Sequence, residues 1–197
     1  MSLESCAARL GEVLASSDEP AILAGNSMGG VIATQAAALD PQRVAALVYV
    51  TAFAPRDGQS LIDLTRLPEG ADDQVQANLI MEPPIATMPA AASRSVLYGS
   101  CSEADAEWAV SKQRPQPLGP FIAPVSIPAG ALDDVGRYFV LCMKDRAIPV
   151  ALQRRMIAEN GITNVVEFDT DHTPHLSMTA ALADALQQFA QHAAETR

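Results

Sequence analysis

The sequence predicts an α/β fold in which a mainly parallel sheet is flanked by helices and carries a small inserted cap. At both ends of the chain, short β-prone apolar runs alternate with helical segments, which is the pattern of parallel strands buried on both faces. Between them, residues 55–131 contain frequent prolines and little periodicity, which indicates an insertion. A chain of 197 residues fits a single domain over 1–197, with its core in 1–54 and 132–197.

The N-terminal part of the chain predicts a helix followed by a βαβ unit. Apolar residues recur with helical spacing over residues 3–16, and the next segment, PAILAG, is typical of a short buried strand. The segment MGGVIATQAAALD then predicts a helix whose small residues allow close packing on a sheet. Residues 43–53 form a continuous apolar run and predict a second strand, parallel to the first.

The C-terminal part of the chain continues the alternation. We expect a strand in GRYFVLCM, a helix in PVALQRRMIAENG that ends at Gly161, a strand in NVVEFD and a final helix in LSMTAALADALQQFAQHAA. Within the predicted cap, only residues 102–113 have a strong helical pattern, with Ser102 as the candidate N-cap. The rest of the cap is expected to lack regular structure of comparable length.

Composition and charge argue against several classes of function. The formal net charge of −10 gives a surface that repels nucleic acid and anionic lipid headgroups, so neither is expected as a partner. No apolar run is long enough to span a membrane and the N-terminus does not resemble a signal peptide, which predicts a cytoplasmic protein. Cys6, Cys101 and Cys142 are odd in number and widely spaced, which suits neither a disulfide framework nor a zinc site. We expect a buried thiol at Cys142, no metal and no cofactor.

A serine lies between glycines at the point where the first predicted strand becomes a helix. In the segment Gly25-Asn26-Ser27-Met28-Gly29, the glycines permit a sharp turn that lifts the serine hydroxyl clear of the sheet, as a catalytic nucleophile requires. The helix N-terminus behind Ser27 favours negative charge near it. A tight turn with no chemical role is the alternative interpretation.

A serine nucleophile needs a histidine base. Two of the three histidines, His172 and His175, lie in the loop between the last predicted strand and the last helix, where the chain order of this kind of site places the base. We favour His172 because it is nearer the end of the strand, and His175 is the alternative. Both are surface residues if the site is not catalytic, and His192 in the terminal helix is expected to be one in either case.

The histidine needs in turn an acid that orients it, and Asp145 is the favoured residue. It directly follows the YFVLCM strand, and the segment between Asp145 and His172 has room for one helix and one strand. Both residues would therefore emerge at the same edge of a parallel sheet. Asp171 is weaker because it adjoins His172 and cannot easily fold back onto its ring, and Asp57 lies several residues beyond its strand.

Four segments carry a resemblance to a known family: AGNSMGG, CMKDRAIP, DTDHTPHLS and CSEADAEWAVSKQRPQPLGPF. They resemble the α/β-hydrolase subfamily that contains bacterial esterases, plant methylesterases and hydroxynitrile lyases, and the resemblance covers nearly the whole chain. It implies Ser27 as nucleophile, Asp145 as acid, His172 as base and the backbone N–H of Met28 as one oxyanion donor. Asn26 departs from the histidine common at that position in esterases and from the glutamate of the lyases.

The resemblance also implies an N-terminally shortened α/β-hydrolase fold. Members normally begin with several strands and a helix before the segment that starts here at Leu3, including an HG-type motif that supplies a second oxyanion N–H. We find no such segment in 1–197, and loss of one donor is expected to reduce turnover about 100- to 1000-fold, or about 3 to 4 kcal/mol. The AILAG strand is then expected at an open sheet edge, which predicts a homo-oligomer, a domain swap or a partner chain that covers it.

Taken together, the residues predict a serine hydrolase that cleaves a small-molecule carboxylic ester through an acyl-enzyme on Ser27, with the cap shaping a largely apolar pocket. Asn26, Trp108, Phe121 and the methionines are candidate substrate-binding residues, with plain core as the alternative for the apolar ones. Two other functions stay open. One is a catalytically impaired, shortened relative that acts as a binding or interaction module, and the other is a hydroxynitrile lyase that uses the same three residues.

Overall fold

Two sheets organise the protein, whose computed structural model describes residues 1–196. The strands are, in chain order, β1 (Ala21–Ser27), β2 (Val44–Ala52), β3 (Ile80–Glu82), β4 (Ile85–Thr87), β5 (Gln116–Pro117), β6 (Gly136–Cys142) and β7 (Asn164–Phe168). The strands β1, β2, β6 and β7 lie side by side in that order and form a parallel sheet. This sheet confirms the α/β class predicted from the sequence.

Helices flank the parallel sheet and also occur in the cap segment. They are α1 (Leu3–Leu14), α2 (Gly29–Leu39), α3 (Leu61–Thr65), α4 (Gln74–Asn78), α5 (Ala90–Leu97), α6 (Glu103–Lys112), α7 (Gly119–Ile122), α8 (Val150–Glu159), α9 (Pro174–Ser177) and α10 (Thr179–Glu195). The predicted final helix is divided in two, because Met178 has a non-helical backbone with φ −138° and ψ 43°. In the part of the chain that the structure describes, no helix is long and apolar enough to cross a membrane.

The parallel sheet buries a different hydrophobic cluster on each face. Successive side chains of a strand point to opposite faces, so Leu47 and Tyr49 of β2 pack with residues of α1, α2 and α8. Val48 and Val50 pack on the other face with residues of α10. Cys142 is fully buried in this second cluster, as expected, and burial raises the pKa of its thiol.

The predicted cap segment is more regular than its sequence pattern indicates. Besides the predicted helix α6, it contains α3, α4, α5, α7 and the antiparallel sheet β3-β4-β5. These elements are too short to show a periodicity, and several depend on local capping instead. The Ser60 hydroxyl accepts from the N–H of Asp63 at the start of α3, and the predicted cap Ser102 accepts from the N–H of Asp105 at 3.1 Å.

Parallel strands bring chemically useful residues to one edge of the sheet. Ser27 ends β1, Asp145 follows β6 and His172 follows β7. The carboxyl ends of parallel strands share an edge, which is where open α/β sheets bind their ligands. The fold therefore gathers at this edge residues that are distant in sequence.

Close packing of α2 against β2 depends on Gly30. A Cβ at Gly30 would lie 2.3 Å from the backbone oxygen of Phe53, whereas a Cβ at the preceding Gly29 would have nothing within 4 Å. We expect Gly30→Ala to lower the free energy of unfolding by about 1–3 kcal/mol or to prevent folding. Gly29→Ala is the matched control and is expected to leave stability unchanged or raise it by less than about 1 kcal/mol. Urea denaturation of both variants checks this, and equal stabilities would contradict it.

Candidate active site

Ser27 occupies a strained turn between β1 and α2. Its φ of 55° lies in the left-handed region, which residues other than glycine adopt rarely and at an energetic cost. A Cβ at Gly25 would lie 2.6 Å from the backbone of Gly29, so the turn requires glycine there. The N–H of Phe53 donates to the backbone oxygen of Ser27 at 3.1 Å and ties the turn to the end of β2. The strand, turn and helix expected for this segment are therefore present.

Asp145 and His172 form a buried pair. The Nδ1 atom of His172 lies 2.8 Å from Oδ2 of Asp145, and the two residues are 4% and 6% exposed. The other oxygen, Oδ1, accepts from the backbone N–H groups of Ala147 at 2.7 Å and Ile148 at 3.0 Å. The hydroxyl of Thr51 also donates to Oδ2. The carboxylate thus holds Nδ1 in place and leaves Nε2 of the imidazole for other chemistry.

Asn26, a candidate substrate-binding residue, holds the histidine loop. Its Nδ2 donates to the backbone oxygens of Val50, at 3.0 Å, and His172, at 3.1 Å. Asn26, which lies in β1, therefore ties the backbone of His172 to the carboxyl ends of β1 and β2. Asn26 also lines a cavity beside Ser27, and its role in substrate binding stays a prediction.

Asp171 and Thr173 fasten the same loop to the cap. Asp171 is 3% exposed, and its Oδ2 accepts from the N–H of Ser100 at 2.6 Å. The hydroxyl of Thr173 donates to the backbone oxygen of Leu97 at 2.7 Å. Asp171 faces the cap in this way, while Asp145 faces the His172 ring. The choice of Asp145 as the acid of the site stays a prediction.

The charges of three carboxylates act on the His172 imidazole. Burial opposes its protonation, but the charge and hydrogen bond of Asp145, together with the charges of Asp171 and Asp73, outweigh burial and raise the pKa of His172. The alternative base, His175, lies in the wall of a cavity beside Ser27, where partial desolvation of its ring, together with the charge of His172, lowers its pKa. In residues 1–196, the side chain of Asp145 hydrogen-bonds to His172 and not to His175.

Two cavities adjoin Ser27. One has a volume of about 230 Å³ and mainly apolar walls, and Met28 lies in its lining. The other has a volume of about 440 Å³ and is lined by both Asn26 and His172. Phe121, a candidate substrate-binding residue, lies in the walls of both cavities.

Trp108 requires a correction. It was expected to line the substrate pocket, but it is 57% exposed and, over the described residues 1–196, it does not line either cavity beside Ser27. The reason is its place on α6, where Ala106 and Ala109 are the buried residues. Successive residues of a helix are rotated by about 100°, so Trp108 projects away from the face that these alanines bury.

Comparison with known proteins identifies the family. Residues 2–185 match the alpha/beta hydrolase family. The chain belongs to this family. The resemblance to esterases and plant methylesterases found in the sequence is also confirmed, since methylesterase 7 of Arabidopsis thaliana is 29% identical over 90% of this chain and 72% of that protein. Salicylic acid-binding protein 2 of Nicotiana tabacum is 27% identical, over 89% of this chain and 72% of that protein.

Other relatives of this alpha/beta hydrolase are longer than the chain. Three further Arabidopsis thaliana proteins are 28–29% identical to it, and the chain spans about half of their length, 41–53%. Among solved structures, the pyrethroid hydrolase of Sphingobium faniae JZ-2 has a TM-score of 0.85 and 24% identity, over 99% of this chain and 80% of that chain. This likeness shows that the two proteins share a fold.

Thr51 is a site residue that sequence reasoning missed. It is buried at the end of β2 with a φ of 38°, and it donates a hydrogen bond to Asp145. The available signal was a polar side chain in the apolar run VYVTAF, directly at the carboxyl end of a strand. A metal centre has no comparable support, because residues 1–196 contain no group of three or more His, Cys, Asp or Glu side chains placed to hold an ion.

The charge of Asp171 is expected to act on His172 across the loop. Asp171→Asn removes one negative charge but keeps an oxygen for the N–H of Ser100, so the pKa of His172 is expected to fall. Asp169→Asn is the control, because Asp169 lies in the same loop but is exposed and pairs with Lys144 at 2.8 Å. NMR titration of the imidazole measures both values. An unchanged pKa of His172 in Asp171→Asn would contradict the role of the buried carboxylates.

Proposed function

We propose that this chain is a serine hydrolase that cleaves small-molecule carboxylic esters, with Ser27 as nucleophile, His172 as base and Asp145 as the acid that orients it. The observation that carries the proposal is the buried Asp145–His172 pair, whose histidine lines the same cavity as a serine held on a strained turn. Family membership and relatives named as methylesterases support the same reaction class.

The reaction proceeds through an acyl-enzyme. Nε2 of His172 takes the proton of the Ser27 hydroxyl as its oxygen bonds to the ester carbonyl carbon. The resulting imidazolium, stabilised by Asp145, returns that proton to the alkoxide as the bond between carbonyl carbon and alcohol oxygen breaks. Water then attacks the acyl-enzyme with help from the same histidine, which releases the carboxylic acid and restores Ser27.

Met28 supplies the oxyanion donor that we assign. It is the residue before the first turn of α2, where the backbone N–H groups and the helix dipole favour a negative oxygen. Covalent labelling of the serine reports directly on the activated hydroxyl, so it is a more direct test of the nucleophile than turnover.

Labelling with a fluorophosphonate tests whether Ser27 is activated. We expect one covalent adduct by mass spectrometry on the wild-type chain and none on Ser27→Ala. Asp145→Asn is expected to slow labelling by roughly 10³- to 10⁴-fold, because the histidine loses its correct tautomer. Ser17→Ala, which changes an exposed serine that lines neither cavity beside Ser27, is the control and should label like the wild type. An inert Ser27 would instead favour a catalytically impaired relative that acts as a binding module.

We also propose that the open edge of β1 is covered by another strand, from a second copy or a partner chain. Over residues 1–196, β1 pairs with β2 alone. Its residue Ala24 is exposed and Ile22 is only partly buried. An apolar strand with unpaired backbone groups is a template for pairing.

Light scattering tests the proposed association. We expect the chain to form dimers or larger assemblies at micromolar concentration, and Ala24→Lys to shift it towards the monomer, because a charge on an edge strand opposes pairing. Arg9→Lys on the exposed surface of α1 is the control and is expected to assemble like the wild type. A wild-type chain that stays monomeric would rule out the proposal for this chain.

A further inference from the structure

The two cavities beside Ser27 differ in size and polarity. The smaller, of about 230 Å³, has mainly apolar walls, and the larger, of about 440 Å³, contains His172 and Arg114. They share a wall that includes Val75 from α4 and Phe121 from α7, and Ser27 lies where they meet. An ester bound at Ser27 therefore has one compartment for each of its two halves.

The proposed reaction decides which half occupies which compartment. His172 returns its proton to the leaving alcohol oxygen, so the alcohol half lies on the side of this histidine, in the larger cavity. Met28, whose N–H is assigned to the carbonyl oxygen, lies in the wall of the smaller cavity, which does not include His172. The acyl half is thereby assigned to the smaller, apolar cavity.

A single ionisable side chain, Asp73, lies in the wall of the acyl cavity. It is 7% exposed, and in residues 1–196 it forms no salt bridge. Its Oδ1 accepts from the N–H groups of Val75, at 2.8 Å, and Gln76, at 3.1 Å, and its Oδ2 is 3.3 Å from the side-chain nitrogen of Gln76. Burial raises the pKa of the Asp73 carboxyl, against these hydrogen bonds.

Capping of α4 does not by itself explain a carboxylate at this position. The cap uses Oδ1 of Asp73, and asparagine or serine caps a helix about as well. The negative charge is therefore a property that the cap does not need. In the wall of a largely apolar cavity, this charge would repel an anionic group of the substrate, because like charges repel most strongly where water is excluded.

We propose that Asp73 restricts the acyl half of the substrate to uncharged, apolar carboxylic acids and excludes the half-esters of dicarboxylic acids. This inference rests on the proposed function. An anionic acyl group would lose its hydration and face a second carboxylate across the same small cavity. The alcohol cavity differs, because Arg114 in its wall forms no salt bridge in residues 1–196, so a negative group is tolerated in that half.

Three phenyl esters test whether a carboxylate is excluded from the acyl half and tolerated in the alcohol half. They are phenyl hexanoate, monophenyl adipate and 4-(hexanoyloxy)benzoate. The second carries a carboxylate at the end of its acyl half, and the third carries one on its alcohol half. For the wild type we expect kcat/KM to be at least ~100-fold lower for monophenyl adipate than for phenyl hexanoate. The benzoate is expected to stay within about 10-fold of phenyl hexanoate.

Asp73→Asn is the decisive variant because it removes the charge and keeps the cap. It is expected to narrow the ratio of phenyl hexanoate to monophenyl adipate by at least ~10-fold, without changing the ratio of phenyl hexanoate to the benzoate. Asp72→Asn removes the same charge from an exposed neighbour outside both cavities, and it is expected to keep both wild-type ratios. Asp73→Ser, which also keeps a cap, replaces Asp73→Asn if that variant does not fold.

The outcomes distinguish this inference from the function on which it rests. A wild-type chain that cleaves monophenyl adipate as fast as phenyl hexanoate overturns the role of Asp73 while leaving ester hydrolysis intact. The role of Asp73 is also overturned if Asp73→Asn leaves the kcat/KM ratio of phenyl hexanoate to monophenyl adipate unchanged. The same holds if Asp72→Asn narrows that ratio as much as Asp73→Asn does. Failure to cleave any of the three esters, together with an unlabelled Ser27, overturns both the inference and the proposed function.

Discussion

A buried carboxylate has to be matched by hydrogen-bond donors, and the matching of Asp145 decides where His172 lies. Its two oxygens receive the imidazole Nδ1, the backbone N–H groups of Ala147 and Ile148, and the hydroxyl of Thr51. Removing water from a carboxylate without such partners would be strongly unfavourable. The strands β2, β6 and β7 must therefore be adjacent and in register, since each brings one part of this cluster to the edge.

The histidine is held from the core and from the cap at once. Asn26 ties the backbone of His172 to β2 in the core. The preceding residue, Asp171, accepts a hydrogen bond from the N–H of Ser100 in the cap. These contacts join the cap directly to the loop that carries the proposed base. Short segments of the cap thus help to hold the histidine loop in place.

Charge is distributed in the protein at two scales. The net charge of −10 describes a surface that repels other anions. Inside, Asp145, Asp171 and Asp73 all act on one imidazole and raise its pKa. Asp73 also lies in the wall of the apolar cavity next to Ser27. The carboxylate that favours protonation of His172 therefore also places a negative charge beside the proposed acyl group.

The sequence by itself determined the class of fold, most bounds of the core elements, the sharp turn at Ser27 and the chain order of serine, acid and histidine. These features follow from apolar periodicity and turn chemistry, which are properties of neighbouring residues. Only the tertiary structure decided the contacts of Asn26 and Thr51, which join residues 24 to 146 positions apart in the chain. It also decided the short elements of the cap and the exposed position of Trp108, because such placements depend on which distant residues pack together rather than on local pattern.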